Sequence, residues 1–256
     1  MPQWNPEQYL KFGSERTQPV RDLIGRIALE SPRLIVDLGC GPGNSTEELA
    51  KRWPGSSIEG IDNSAEMIES ARRAYPNGRW RVSDAACWIP EEPVDLIFSN
   101  AMLHWVRDHE RLCRSLLEQA AAGGALAVQA PAHYDSPLHR EILEVSRHPL
   151  WANRMEQARN ALTNHPPEFY YDLLAPVASR VDVWETTYYH VLAGPESVLE
   201  WFRGTGLPPF LEALADHSER ALFEATLAER YAKTYARRPN GQVLFPFRRL
   251  FFVAYR

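Results

Sequence analysis

The chain has little cysteine. Its three (Cys40, Cys87 and Cys113) are odd in number and widely spaced over 256 residues, which excludes a disulfide framework and a cysteine-based zinc cage. No apolar run approaches the roughly 20 residues that a membrane span needs. The start, MPQWNPEQYLKF, lacks the basic and then apolar build of a signal peptide. Internal repeats and low-complexity linkers are missing as well. So is a broad basic face: net charge is −5, and seven bases without an acid between Arg230 and Arg256 leave −12 on the rest. That disfavours general nucleic-acid binding, which needs many phosphate contacts. The basic end is either a solvated charge run or a means of neutralising a small anionic ligand. What is present is ordinary for a folded protein, 45% hydrophobic and 24% charged residues. These features predict a soluble, cytoplasmic chain with a small-molecule partner, no membrane and no nucleic acid.

From residue 33 to 130 short apolar runs alternate with helical stretches. RLIVDLG, SSIEGID, RWRVSD, VDLIFSN and GGALAVQAP read as strands. Between them, NSTEELAKRW reads as a helix opened by Asn44 or Ser45, SAEMIESARRAY as one capped by Ser64, and DHERLCRSLLEQAA as one capped by Asp108. This alternation predicts an α/β fold with a parallel sheet covered on both faces. Before it, SERTQPVRDLIGRIAL predicts a helix capped by Ser14. After Pro131 come helical segments around LHREILEVSRHPLW and PEFYYDLLA, the strand VDVWETTYYHV, the helix SVLEWFRG and a long helix over SERALFEATLAERYAKTYARR. There Leu222, Ala225, Ala228, Ala232 and Tyr235 share one face at helical spacing. The layout is a single domain over 1–256. Residues 1–30 form a leader and first helix, and helical insertions near 131–178 and 191–240 cap the ligand end.

The strongest local signal is Val36-Asp37-Leu38-Gly39-Cys40-Gly41-Pro42-Gly43-Asn44-Ser45-Thr46. Glycines between a first strand and a first helix let backbone approach a cofactor closely, and a nicotinamide-binding loop is one reading. Asp37 argues against it, since a carboxylate at the loop mouth repels a pyrophosphate but suits an ammonium or sulfonium. Pro42 also removes an N–H donor that a phosphate cradle uses. Asp62, nineteen residues beyond Gly43, can accept from ribose hydroxyls. Asp84 can accept from an adenine amino group with the Ala85 N–H beside it, and Met67 can pack on the ring. Each has a plain alternative: turn residue, cap or core.

VDLGCGPGNST, GID, SDA and DLIFSNAMLHW together resemble the motif series of class I S-adenosylmethionine-dependent methyltransferases over residues 33–130. The resemblance implies a Rossmann-like, seven-stranded sheet whose antiparallel last strand, VLFPFRRLFFVAYR, inserts beside VDVWETTYYHV. It implies S-adenosylmethionine as cofactor, held by Asp37, Gly39, Cys40, Gly41, Asn44, Asp62, Asn63, Met67, Asp84, Ala85, Asn100 and Trp105. The leader WNPEQYLKFGSERTQP with WETTYYH and RLFFVA is similar, nearly end to end, to members of this family that act on a carboxylate of trans-aconitate. A monomethyl ester and S-adenosylhomocysteine are then the products.

Ligands of such sheets sit outside the carboxyl ends of the parallel strands. That edge gathers Asn100, His104 and Trp105 after strand four, His133 and Tyr134 after strand five, and Tyr188, Tyr189 and His190 in strand six. Arg248 and Arg249 enter with the last strand. Arginine holds a carboxylate through two parallel bonds, and tyrosine and histidine fix the remaining oxygens. Alternation sends Arg248 and Arg249 to opposite faces, and the resemblance assigns the role to Arg249. The substrate set is His104, His133, Tyr188, Tyr189 and Arg249, with Arg248 or Arg154 as the next candidate. No catalytic base is required, because a carboxyl group of pKa about 4 is already ionised, and no residue spacing indicates a metal. Trp4, Tyr9, Phe12 and Arg16 are expected to fold over the cofactor, where Tyr9 and Arg16 touch it, the alternative being a simple amphipathic packing segment. The competing readings are a methyltransferase for an amine, phenol or lipid-like acid, a nicotinamide oxidoreductase, and a non-catalytic module that keeps the cofactor loop.

Overall fold

The computed structural model describes residues 13–256, with the side chains of 13–15 left aside. Among the described residues the helices are α1 (Gly13–Arg26), α2 (Asn44–Arg52), α3 (Ala65–Ala74), α4 (His109–Gln119), α5 (Pro137–Ser146), α6 (Glu156–Arg159), α7 (Pro167–Leu174), α8 (Pro195–Arg203), α9 (Pro208–Glu212) and α10 (His217–Thr234). The strands are β1 (Leu34–Leu38), β2 (Ser57–Asp62), β3 (Arg79–Val82), β4 (Val94–Asn100), β5 (Ala120–Pro131), β6 (Arg180–Leu192) and β7 (Val243–Tyr255). They form one sheet in the order β3-β2-β1-β4-β5-β7-β6. β1 pairs in parallel with β2 and β4, and β4 with β5, while β7 runs antiparallel to β5. The expected α/β architecture with an inserted antiparallel last strand is what the chain adopts. No helix among the described residues is long and apolar enough to cross a membrane.

Local chemistry explains some element boundaries. Ser64 caps α3 by accepting from the Met67 N–H, and Asp108 caps α4 by accepting from Arg111. Leu96, Ile97 and Phe98 of β4 and Leu126 and Ala127 of β5 are fully buried, as strands covered on both faces require. The order of strands reverses beside β1, where the chain leaves β3 and returns as β4. A crevice outside the carboxyl ends is expected at that switch.

Two compact units divide the described chain. The sheet unit comprises Gly13–Pro131, His165–Glu185 and Arg249–Arg256, and the helical unit Ala132–Asn164 and Thr186–Arg248. The helix α7 therefore goes with the sheet unit and not with the insertion expected over 131–178. The reason is packing: Tyr170 stacks on Phe252 at 5.0 Å and its hydroxyl meets His109 Nδ1 at 2.7 Å. Two smaller expectations also change. Ser14 lies inside the first turn of α1, which already runs from Gly13, and the helix ends at Arg26 before Leu29.

The helical unit has its own core, in which Trp151, Trp201, Phe202, Phe210, Phe223, Tyr231 and Phe245 are buried. Here the expected face of α10 is corrected in part. Phe223, Leu227 and Tyr231 point inward, and of the expected set Tyr235 is buried with them and Ala228 packs against the same core, while Leu222 is 52% exposed and Ala225 and Ala232 face solvent. Both faces satisfy helical spacing, and the one carrying the two aromatic rings buries far more apolar area. Much of the basic end is spent on surface pairs. Arg230 reaches Glu141 and Glu144, Arg237 reaches Glu196, and Arg248 pairs with Asp135. Arg154 is held by Glu219 at 2.7 Å. Apart from the one to Glu141, which is buried, these are exposed pairs that contribute about 0–1 kcal/mol each.

Candidate active site

The β1–α2 turn is built around three left-handed glycines, Gly39, Gly41 and Gly43 (φ 73°, 55° and 95°). The Gly39 and Cys40 N–H groups donate to the Ile61 carbonyl at 2.7 and 3.0 Å, tying the turn to β2. At Gly39 the requirement is double, since a Cβ there would lie 2.4 Å from Cβ of Met102. Asp37 is fully buried beneath this turn, so it is not at the loop mouth as expected. Its Oδ2 accepts from Ser45 Oγ at 2.6 Å and Thr46 Oγ1 at 2.7 Å, while Oδ1 has no partner among the described residues. Burial pushes its carboxyl up to about 6 despite those two hydroxyls. Because Ser45 is turned to Asp37, neither it nor Asn44 caps α2. Gly43 opens that helix without a side-chain cap.

Asp62 ends β2 and locks the same turn from the other side. Its Oδ2 accepts from the Gly41 N–H and its Oδ1 from the Ser64 N–H, each at 2.9 Å. Burial raises its pKa, and those backbone donors pull against the shift. Cys40 is buried and its thiol is pushed well above the usual range by desolvation. Asn44, four residues on, is half-buried, and Asn63 is exposed. Met67 is buried on the inner side of α3. Asp84 is exposed and its Oδ1 accepts from the Ala86 N–H at 2.9 Å, a turn role, with Ala85 half-buried next to it.

A second cluster in the sheet unit forms at the ends of β4, β5 and β7. Ala101 adopts φ 57°, a left-handed conformation that costs a non-glycine residue about 1–3 kcal/mol. Its N–H donates to the Gln129 carbonyl at 2.8 Å, and the chain turns into a short 3-10 helix at Leu103–Trp105. His109 holds that turn: Nε2 donates to the Leu103 carbonyl at 2.9 Å, so Nδ1 accepts from Tyr170. His104 is buried, and burial followed by the Arg249 charge pushes its pKa down to about 3, so the ring is neutral. Trp105 lies 5.1 Å from it, ring to ring. Arg249 is 4% exposed, and its Nη1 donates to Gln129 Oε1 at 3.2 Å. Arg16, also buried, comes from α1.

Register places these groups in a row. Asp37 pairs with Phe98, Asn100 with Gln129, and Gln129 with Phe251, two residues from Arg249. Residues in register, or two apart, share a face. Asp37, Asn100, Gln129 and Arg249 thus lie on one face, spread over strands spaced about 4.8 Å apart. Three buried atoms in that row have no hydrogen-bond partner among the described residues: Asp37 Oδ1, Asn100 Oδ1 and Gln129 Nε2. The row runs from acceptors on β1 and β4 to donors on β5 and β7. Sequence reasoning missed Ser45 and Thr46 as the holders of Asp37, and Ala101, Met102 and Gln129. Only Gln129 carried a signal, a lone polar residue in the apolar run ALAVQAP.

In the helical unit His133 is buried and stacks on His139 at 5.6 Å, with Phe247 edge-on at 5.7 Å. Tyr188 stacks on His190 at 6.5 Å, and His190 on Trp201 at 4.5 Å. Tyr189 takes the alternate face and is 62% exposed. Arg248 lies over the Tyr134 ring at 4.7 Å. The structure therefore groups His133 with Tyr188 through Phe247 and His190, and separates Tyr189 from them. Tyr9 lies outside the described residues.

A sheet of this order with a glycine cradle at its switch point defines the class I methyltransferase fold. A methyltransferase domain model matches residues 35–124. Among solved structures, the YcgJ protein of a Bacillus superposes with a TM-score of 0.62 at 13% identity, covering 95% of this chain and 98% of that one. A Haemonchus contortus phosphoethanolamine N-methyltransferase 2, in complex with phosphomonomethylethanolamine and S-adenosylhomocysteine, gives 0.57 at 14% identity, over 93% of this chain and 53% of that one. At those identities the likeness speaks for the fold alone. Within the class, this chain belongs to the trans-aconitate 2-methyltransferase family. It is 47% identical over 256 residues to the enzyme of that name from Azoarcus sp. (strain BH72), covering all of both chains. It is 41% identical over 255 residues to that of Rhodopseudomonas palustris (strain BisB5), covering 99% of each.

Proposed function

We propose that this chain transfers a methyl group from S-adenosylmethionine to a carboxylate of trans-aconitate or a similar polycarboxylic acid, giving a monomethyl ester and S-adenosylhomocysteine. Beside the family membership, the observation that carries the reading is the row on one face of the sheet: at one end Asp37 and Asn100 with acceptor atoms that have no partner among the described residues, at the other the donors of Gln129 and Arg249. The cofactor fits the first half. Its cationic amino-acid end suits a buried carboxylate with an open oxygen, and the Gly39 cradle admits close backbone approach. Asp62, fixed by two backbone N–H groups, accepts from the ribose, and Met67, Asp84 and Ala85 serve the adenine. When bound, S-adenosylmethionine supplies a methyl carbon made electrophilic by its sulfonium.

The chain's residues orient and desolvate. Arg249 holds one carboxylate of the acid so that another is positioned as acceptor. A guanidinium in a buried setting holds a carboxylate through two parallel charge-assisted bonds. The acceptor carboxylate is ionised at neutral pH, so no residue has to take a proton. His104 is neutral across the working range and serves as a hydrogen-bonding wall that adds no charge. Exclusion of water and alignment supply the rate enhancement. His133, Tyr188 and Tyr189 are kept as further donors to the acid, Tyr9 and Arg16 as cofactor contacts, and the cytoplasm as the site of action.

The test is mass spectrometry of products after incubation with isotopically labelled S-adenosylmethionine and a panel of mono-, di- and tricarboxylic acids. A labelled monomethyl ester of a polycarboxylate is expected. Labelled product from amines or phenols alone would overturn the reading.

A further inference from the structure

Gln129 is the one polar side chain in β5, and it is wholly buried. A buried primary amide has one acceptor and two donors to satisfy, and an apolar residue of the same length fills such a position at less cost. The orientation of the amide is fixed by its neighbour. Arg249 only donates, so the atom facing it is Oε1, and Nε2 points the other way. That Nε2 has no partner among the described residues. On the adjoining strand, Asn100 stands in register with Gln129 and leaves its Oδ1 unpartnered as well. A donor and an acceptor on paired residues of one face ought to bond to each other. They do not meet, so each is available to something that enters between or beside them.

We infer that Gln129 binds substrate directly, as the second arm of a carboxylate clamp whose first arm is Arg249. Oε1 aligns the guanidinium, and Nε2 donates to an oxygen of the same carboxylate. The diagonal placement supports this, since Gln129 lies opposite Phe251, and Arg249 is two residues further along the same face of β7. One neutral amide and one guanidinium give the clamp a net charge of one, matched to one carboxylate. Its main-chain setting is also fixed: the Gln129 carbonyl accepts from Ala101, the only non-glycine residue of positive φ among those described. The clamp rests on the polycarboxylate reading above and assigns a residue to it that neither the motifs nor the cofactor loop point to.

The experiment compares wild type, Gln129→Met and Gln129→Glu with trans-aconitate as varied substrate, and S-adenosylmethionine affinity as control. Gln129→Met loses both arms of the amide and is expected to raise KM for trans-aconitate about 10- to 100-fold. Gln129→Glu keeps an acceptor for Arg249 but cancels the clamp's charge, and is expected to raise KM at least as much. In both, kcat at saturating acid should stay within about threefold and cofactor affinity within about twofold, a split that a general packing defect would not give. A folded variant with unchanged KM, or one in which kcat and cofactor affinity fall together at constant KM, overturns the clamp. Should neither variant fold, wild type with 15N-labelled glutamine answers the question. The Gln129 side-chain NH2 resonance should shift on titration with trans-aconitate in the presence of S-adenosylhomocysteine, and an unmoved resonance overturns the clamp. Failure of the clamp is separable from failure of the proposed function, because wild type that esterifies no polycarboxylate rejects the function before any variant is made.

Discussion

The two ends of the polar row on the sheet are built on different plans. At the β1–β2 end, buried Asp37 and half-buried Asp62 are held by donors no more than 21 residues away along the chain, Ser45 and Thr46 for the first and Gly41 and Ser64 for the second. At the β5–β7 end, Arg249 is held by Gln129, 120 residues away along the chain. A site made by one strand–turn–helix can be specified by a short motif. A site made by pairing distant strands exists only once the sheet has formed. The first kind suits the part of a reaction that a whole fold class shares, and the second the part that distinguishes one family within it.

The comparison breaks first at Gly39. Gly39→Val adds a Cβ where Met102 already stands and demands a left-handed β-branched residue. Cofactor binding should fall more than about 100-fold by calorimetry, with a lowered melting temperature; unchanged affinity would detach the cofactor from this turn. The opposite end is tested by Arg249→Met. Truncating one side of a desolvated charge pair costs about 2–5 kcal/mol, so kcat/KM for trans-aconitate should drop more than about thirtyfold while cofactor affinity holds. A folded variant with unaltered kinetics would move the anion to Arg248 or elsewhere.

Asp62→Ala should weaken S-adenosylmethionine about ten- to a hundredfold, from loss of a charged acceptor worth about 1.5–3 kcal/mol. The structure sharpens this expectation, since the same substitution frees the Gly41 N–H. Asp62→Asn, which can keep one of the two backbone bonds, should fall between wild type and Asp62→Ala. Equal affinity in all three would remove the residue from the site.

The smallest effect is with pH at Asp37, whose carboxyl is raised by burial to about 6. The ionised form is the one that attracts a cation, so cofactor affinity should weaken as pH falls through about 6, and the step should vanish in Asp37→Asn. Stability runs the other way. Between about pH 4 and 6 the folded state holds a proton that the unfolded chain has released, so this residue's contribution to stability declines as pH rises through that window. Titration calorimetry and chemical denaturation of the cofactor-free protein measure the two. A stability rise traced to Asp37 over that range would contradict its burial as the cause.

Much of this was legible beforehand. The alternation of strands and helices, the caps Ser64 and Asp108, and a strand at the end of the chain follow from local pattern, because period and capping are short-range properties; that this last strand runs antiparallel came only from the resemblance to the methyltransferase motif series. The cofactor loop was legible for the same reason, yet its inner wiring was misread. Asn44 and Ser45 fit a helix start equally well from sequence, and burial of Asp37 decided that Ser45 turns to the carboxylate. On α10, spacing left two faces open, and the mass of the aromatic core chose Phe223, Leu227 and Tyr231 over Leu222. Arg248 and Arg249 were correctly split by alternation, but only packing showed that the first pairs with Asp135 and the second is buried against Gln129.

By itself, then, the sequence determined the parts of this protein that depend on neighbours a few residues apart: the order of elements, the glycine turn, and the carboxylates at the ends of β1, β2 and β3. The tertiary structure alone decided which polar atoms are buried without partners among the described residues, because that depends on which distant strands lie side by side. Desolvation acts through space and has no spacing along the chain. Gln129 looks like a stray polar residue in an apolar strand until Arg249 is set beside it by the antiparallel pairing of β5 and β7.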